Sequence, residues 1–172
     1  MRLLRIAALL PPLLLPVAAH AQTAEEAIAY VFLGLADGAK LERGTTSMTW
    51  KETGSSPATY DGVWTLKGRS NAISFAITAT NDCDYIVRIA GPPNMVSHGG
   101  SLYARVELKK VTAIAPDSDA ERIDVTGTGY CETSPENEDC RPTDRSDLFG
   151  AVEAERHREM VQFIRTKVCV GP

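Results

Sequence analysis

Residues 101–110 read SLYARVELKK. Leu102, Ala104, Val106 and Leu108 alternate with Tyr103, Arg105, Glu107 and Lys109. Successive side chains of a strand point to opposite faces, so this period of two predicts a strand with one face buried and one in water. A half-polar strand of this kind belongs to an antiparallel sheet, because a parallel sheet covered by helices is apolar on both faces.

The same period runs outward in both directions. Upstream, Tyr85, Val87 and Ile89 follow Asn81-Asp82, and Ile73, Phe75 and Ile77 follow a Gly-Arg-Ser-Asn turn at 68–71. Further back, Tyr60, Trp64 and Leu66 alternate with Asp61, Val63 and Thr65, and Met48 and Trp50 alternate with Ser47, Thr49 and Lys51. GSSP at 54–57 reads as the turn between these last two strands. A hairpin across it places Trp50 and Trp64 on one face. Downstream, Val111 to Ala115 continues after a bend at the two lysines, and PDSD at 116–119 turns the chain into Ile123 and Val125. The total is about seven short strands.

The strands are flanked by helices. Thr23-Ala24-Glu25-Glu26 is a capping box, followed at helical spacing by Ile28, Val31, Phe32 and Leu35. This predicts a helix over about 24–37, with one buried stripe and Gly38 as its stop. Ser146 is the expected N-cap of a second, long helix over about 147–168. Its stripe is Phe149, Val152, Met160, Phe163, Ile164 and Val168, with Arg165 and Lys167 in the last turn.

The expected fold is therefore α+β, mostly antiparallel β. About seven strands form a curved sheet or partly open barrel, with both helices packed on it. The element order resembles that of a pleckstrin-homology-type barrel carrying an extra N-terminal helix. It is also similar to a cone-shaped α+β sheet of the nuclear-transport-factor-2 type. The resemblance is one of element order over residues 22–172, and fold analogy does not give function.

Residues 1–21 read as a secretory signal peptide. Arg2 and Arg5 precede the apolar run IAALLPPLLLPV, and Ala19-His20-Ala21 is a small-x-small cleavage site before Gln22. Three prolines and a length short of the ~20 apolar residues of a span argue against a membrane anchor. The expected product is a single domain, residues 22–172, that is periplasmic or secreted and has no membrane span. The full chain of 172 residues carries a formal charge of −4, and loss of the two leader arginines makes it −6. An acidic chain is not built to follow a phosphate backbone, so nucleic acid is not an expected partner.

All four cysteines, Cys83, Cys131, Cys140 and Cys169, follow the leader. An even count in an exported chain predicts two disulfides, with three possible pairings. Cys131–Cys140 is the favoured pair because it closes a short polar loop with no apolar residue to hold it, which leaves Cys83 for Cys169. No CxxC occurs and no histidine lies near the cysteines, so neither a zinc site nor any other metal or cofactor is expected.

Candidate chemistry is sparse. Glu153, Arg156 and His157 fall on the apolar side of the second helix. Glu153 is placed to reach both of the others, with His157 as the candidate general base or ligand. Ser97-His98-Gly99-Gly100 lacks the nucleophile elbow that an esterase oxyanion loop would accompany. Glu132, Glu136, Glu138 and Asp139 make an acidic patch inside the 131–140 loop, suited to a basic partner protein. Trp50 and Trp64 are candidate pocket residues if the sheet encloses a cavity.

These features lead to the expectation of a non-enzymatic exported binding module. One alternative is an inhibitor of a basic hydrolase acting through the 131–140 loop. Another is a small ligand-binding protein or enzyme with a pocket near the second helix.

Overall fold

A computed structural model describes residues 22–93, 96, 100–133 and 140–170. The expected leader, His98, Glu136, Glu138 and Asp139 lie outside the described residues. The chain runs α1 (Ala24–Leu33), β1 (Lys40–Arg43), β2 (Thr46–Ser55), β3 (Ala58–Leu66), β4 (Arg69–Asn81), β5 (Asp84–Ala90) and β6 (Ser101–Glu107). It continues with β7 (Val111–Pro116), β8 (Arg122–Gly127), β9 (Tyr130–Thr133), β10 (Arg141–Pro142), β11 (Arg145–Asp147) and α2 (Ala154–Phe163). A 3-10 turn, Leu108–Lys110, separates β6 from β7, and a π-helical turn, Ile164–Val168, extends α2.

Eight strands form one antiparallel sheet in the order β1-β2-β3-β4-β5-β6-β9-β10. The strands β11-β8-β7 form a second, three-stranded sheet. The large sheet is open, with β1 and β10 as its edges, and is not a closed barrel. The described strands number eleven rather than about seven. The additional ones are β1, whose sequence KLER is charged at three of four positions, and β9 to β11, which lie in the polar stretch 130–147. Strands of two to four residues are too short to show a period, and their pairing comes from neighbours rather than from their own composition.

Strand β6 has the alternation its period of two predicts. Ala104 and Val106 are buried in β6 while Arg105 is exposed. Leu108, at the end of that alternation, is buried from the 3-10 turn. The large sheet buries Trp50, Tyr60, Phe75, Ile77, Tyr85 and Val87.

Helix α1 departs from the expectation of a single stripe. Ala27 to Leu33 are all buried. The helix lies against β3 and β4 of the large sheet, β8 and β11 of the small one, and α2, so every side of it is covered. A helix apolar all round is a core helix. The capping box at Thr23 and Glu26 is present, with Thr23 N–H donating to Glu26 Oε2 at 2.8 Å. The helix stops at Leu33, short of 37. Gly34 adopts φ 70° there, and its N–H returns to the Tyr30 carbonyl.

The second helix is shorter than expected. Ser146 is not its N-cap: it lies in β11, 1% exposed, and donates to Tyr130 Oη at 2.9 Å. The segment after β11 is held out of a helix by bonds to other elements. Phe149 N–H donates to the Leu33 carbonyl at 2.8 Å and Ala151 N–H to the Lys40 carbonyl at 3.2 Å. The helix begins only at Ala154, where Glu153 N–H donates to Tyr30 Oη at 3.0 Å. Phe149 and Val152 pack on the core from this extended segment rather than from a helical stripe.

Two disulfides close the structure. Cys83, between β4 and β5, is bonded to Cys169 just after the π turn, with Cα atoms 4.9 Å apart. Cys131 in β9 is bonded to Cys140 just before β10, with Cα atoms 5.6 Å apart. Such bonds fit an oxidising, extracytoplasmic compartment. Among the described residues, no helix is long and apolar enough to cross a membrane.

Candidate functional site

The hairpin β2–β3 turns at Ser56-Pro57, where the peptide is cis. Ser55 pairs with Ala58 and Gly54 with Thr59. Continued unbroken, that register would set Trp50 opposite Val63, on the solvent side. A bulge between Glu52 and Gly54 shifts it by one, so that Glu52 pairs with Tyr60, Trp50 with Gly62 and Met48 with Trp64. Thr53, the extra residue, is fastened by its hydroxyl to Thr59 Oγ1 at 2.9 Å. The bulge therefore brings Trp50 and Glu52 onto the face of Tyr60 and Trp64. A Cβ on Gly62 would overlap the six-membered ring of Trp50, so the bare glycine is what lets the indole lie against the neighbouring strand.

Beside this hairpin lies a cleft of about 640 Å³. It is bounded by the two ends of α1, the β2–β3 hairpin and the first turn of α2. Its charged lining is Glu26, Asp37, Glu52, Lys51 and Arg156, with the Tyr60 ring as floor. Several of these groups are already positioned by the fold. Asp37 Oδ1 accepts from Glu52 N–H at 3.1 Å, and Glu26 belongs to the capping box. The Arg156 guanidinium is drawn over the Tyr30 ring, 4.5 Å from its centroid, an orientation favoured by the quadrupole of the ring. Burial, with the carboxylates of Glu52 and Glu26 beside it, pushes the Tyr60 hydroxyl well above its ordinary pKa, so it stays protonated.

The other residues singled out from the sequence are dispersed. His157 is 1% exposed, and its Nε2–H donates to the Val31 carbonyl at 3.1 Å. Burial lowers its pKa, the bond to Val31 opposing in part. Its immediate neighbour Arg156 reaches the cleft, while His157 itself is turned into the core. Glu153 is exposed at the N-cap of α2 and enters the fold through its backbone N–H.

Trp50 is 3% exposed. Its indole N–H donates to the Phe149 carbonyl at 2.6 Å, and its ring meets Phe75 edge-on with centroids 5.1 Å apart. Trp64 is half-buried against the same core, and its Nε1 is buried with no hydrogen-bond partner among the described residues.

Glu132 is the one described member of the acidic loop set. It accepts from Tyr130 Oη at 3.2 Å, at the end of a chain that starts at Ser146. Partial burial holds its carboxyl above the usual carboxylate range. Tyr130 stacks on Phe32, centroids 5.5 Å apart. The sequence gives no sign of this chain, because Ser146 and Tyr130 come together only through the pairing of β11 with β8 and of β9 with β6. The cleft was missed for a similar reason: Glu26 and Arg156 lie on the two helices, Glu52 on β2 and Asp37 in the turn after α1, and no spacing along the chain joins the four.

Among the described residues, no group of three His, Cys, Asp or Glu side chains could hold a metal ion. Compared with known family models, curated proteins and solved structures, the chain matches none.

Proposed function

We propose that this chain is an exported, non-enzymatic binding module, and that it holds a small polar ligand bearing a cationic group in the cleft beside Arg156. The observation that carries the reading is the bulge at Thr53, which puts Glu52 on the cleft side of the hairpin next to Tyr60. Bulges that re-aim a side chain are over-represented beside functional sites. The cleft is within the size range of ligand pockets, about 300–1,000 Å³. Glu26, Asp37 and Glu52 outnumber Lys51 and Arg156 by one. The balance favours a cation.

The non-enzymatic part of the reading is supported by His157, whose ring is buried and whose Nε2–H is engaged by a backbone carbonyl. Export is supported by the two disulfides, and removal of residues 1–21 belongs to the same proposal. We read the large sheet with α1 against it as the cone-shaped α+β arrangement rather than the pleckstrin-homology-type one. The N-terminal helix, not the C-terminal one, is the element enclosed by both sheets.

The test is an amide NMR titration of residues 22–172 with putrescine, using 1,4-butanediol as the uncharged control. Shifts confined to Glu52, Gly54, Tyr60 and Arg156, absent with the diol and lost in Asp37→Asn/Glu52→Gln, support the proposal. An equal response to the diol, or shifts centred elsewhere, overturns it.

A further inference from the structure

On the other side of α2 lies a groove of different chemistry. It has a volume of about 410 Å³ and runs between the 3-10 turn and β7 on one side and the π turn on the other. Val111, Ile114, Val161 and Ile164 supply an apolar floor, closed at the end by the Cys83–Cys169 disulfide. The two charged residues that line it, Lys109 and Arg165, are both cationic, and no acidic side chain lines it among the described residues. In a chain of net charge −4 this is a local reversal of sign.

Arg165 is set in place by the fold. Arg165 Nη2 donates to the Thr112 carbonyl of β7 at 2.9 Å. A guanidinium has five N–H donors, so four are left over. Lys110 is ion-paired with Glu107, which leaves Lys109 as the lysine of the turn that lines the groove.

We propose that this groove binds a single-chain amphiphile with an anionic head, a monomeric fatty carboxylate. The alkyl chain lies along Val111, Ile114, Val161 and Ile164, and the carboxylate is held between Lys109 and Arg165. An apolar cleft with a small number of placed polar groups is the ordinary form of a small-molecule site. The charge of those groups selects the head. The site is independent of the polar cleft, from which α2 separates it.

Calorimetry on residues 22–172, below micellar concentrations, tests the proposal. Burial of a methylene strengthens binding by at most about fourfold, so affinity should climb severalfold at each step from hexanoate to octanoate to decanoate. Decyltrimethylammonium, with the same tail and the opposite charge, should bind at least tenfold more weakly than decanoate. Lys109→Gln, which leaves the Thr112 bond and the floor untouched, should weaken decanoate severalfold, and Val161→Asp should abolish its binding. The proposal is overturned if decanoate binds no better than the ammonium compound, or if Lys109→Gln leaves its affinity unchanged. It is also overturned if the protein sediments with phosphatidylglycerol vesicles but takes up no monomeric decanoate.

Discussion

The imidazole of His157 donates from Nε2 to the carbonyl oxygen of Val31, 126 positions earlier in the chain, at 3.1 Å. Val31 lies in the last turn of α1, where helix carbonyls have no partner inside the helix. Inside a core they must find one elsewhere. Residues 149–157 provide it: Phe149 N–H satisfies the Leu33 carbonyl, and His157 satisfies that of Val31. The Phe149 carbonyl is in turn bound by the Trp50 indole.

His157→Ala is therefore expected to destabilise the protein. Leaving a buried carbonyl without a donor costs about 1–3 kcal/mol, and the cavity adds to it. The midpoint of urea unfolding should fall with little change in slope.

The same residue gives a pH dependence of known sign. Burial lowers its folded-state pKa below the unfolded value of about 6.5, so the charged form is disfavoured in the native state. The stabilisation is full above that value and is lost as pH falls below it through the folded pKa. Glu132 acts in the opposite sense. Its carboxyl is held above the usual range, so its contribution is lost as pH rises through the carboxylate region. Stability profiles of the parent chain, His157→Ala and Glu132→Gln separate the two. The slope between about pH 5 and 6.5 should be flatter in the first variant, and stability at neutral pH should be undiminished or higher in the second. A slope unchanged in His157→Ala would show that the histidine is not its source.

Gly62→Val is expected to expel the Trp50 ring from its place on β3, at a cost of about 1–3 kcal/mol from overpacking. Loss of the Phe149 contact makes the event visible. Trp50 emission should move to longer wavelength in a Trp64→Phe background. Emission unchanged from the parent would mean that the hairpin tolerates the side chain.

The two disulfides should differ in their effect. Cys83–Cys169 spans 86 residues and Cys131–Cys140 spans 9. The chain-entropy relation assigns about 4.6 kcal/mol to the first and about 2.7 to the second. Paired Cys→Ala replacements, compared by denaturant unfolding, should lower stability more for the long loop. Equal losses would contradict that ordering.

How much of this was legible in the sequence follows from which interactions are local. The alternation at 102–108, the capping box at Thr23 and the GSSP turn are set by neighbours along the chain, and all three occur as read. The cysteine partners could be inferred because a short polar loop leaves few choices. What escaped depends on distant contacts. Ser146 has the residue type of an N-cap, yet β8 takes its backbone and Tyr130 its hydroxyl. His157 has the helical position of a site residue, yet its bond is with the end of α1. Glu52 reaches the cleft through a one-residue bulge at Thr53, which has no signature in composition or period.

The enclosure of α1 sets an order of events for folding. The seven buried residues from Ala27 to Leu33 are near the start of the chain, and the groups that close over them, Phe149, Glu153 and His157, are near its end. During synthesis from the N-terminus α1 emerges early and waits for its last partners. A chain cut before Phe149 leaves the Leu33 and Val31 carbonyls and one flank of that helix open to water, whatever sheet it has formed. The core around α1 is therefore complete only once residues 149–157 are available, and pairings so distant along the chain are slow to form.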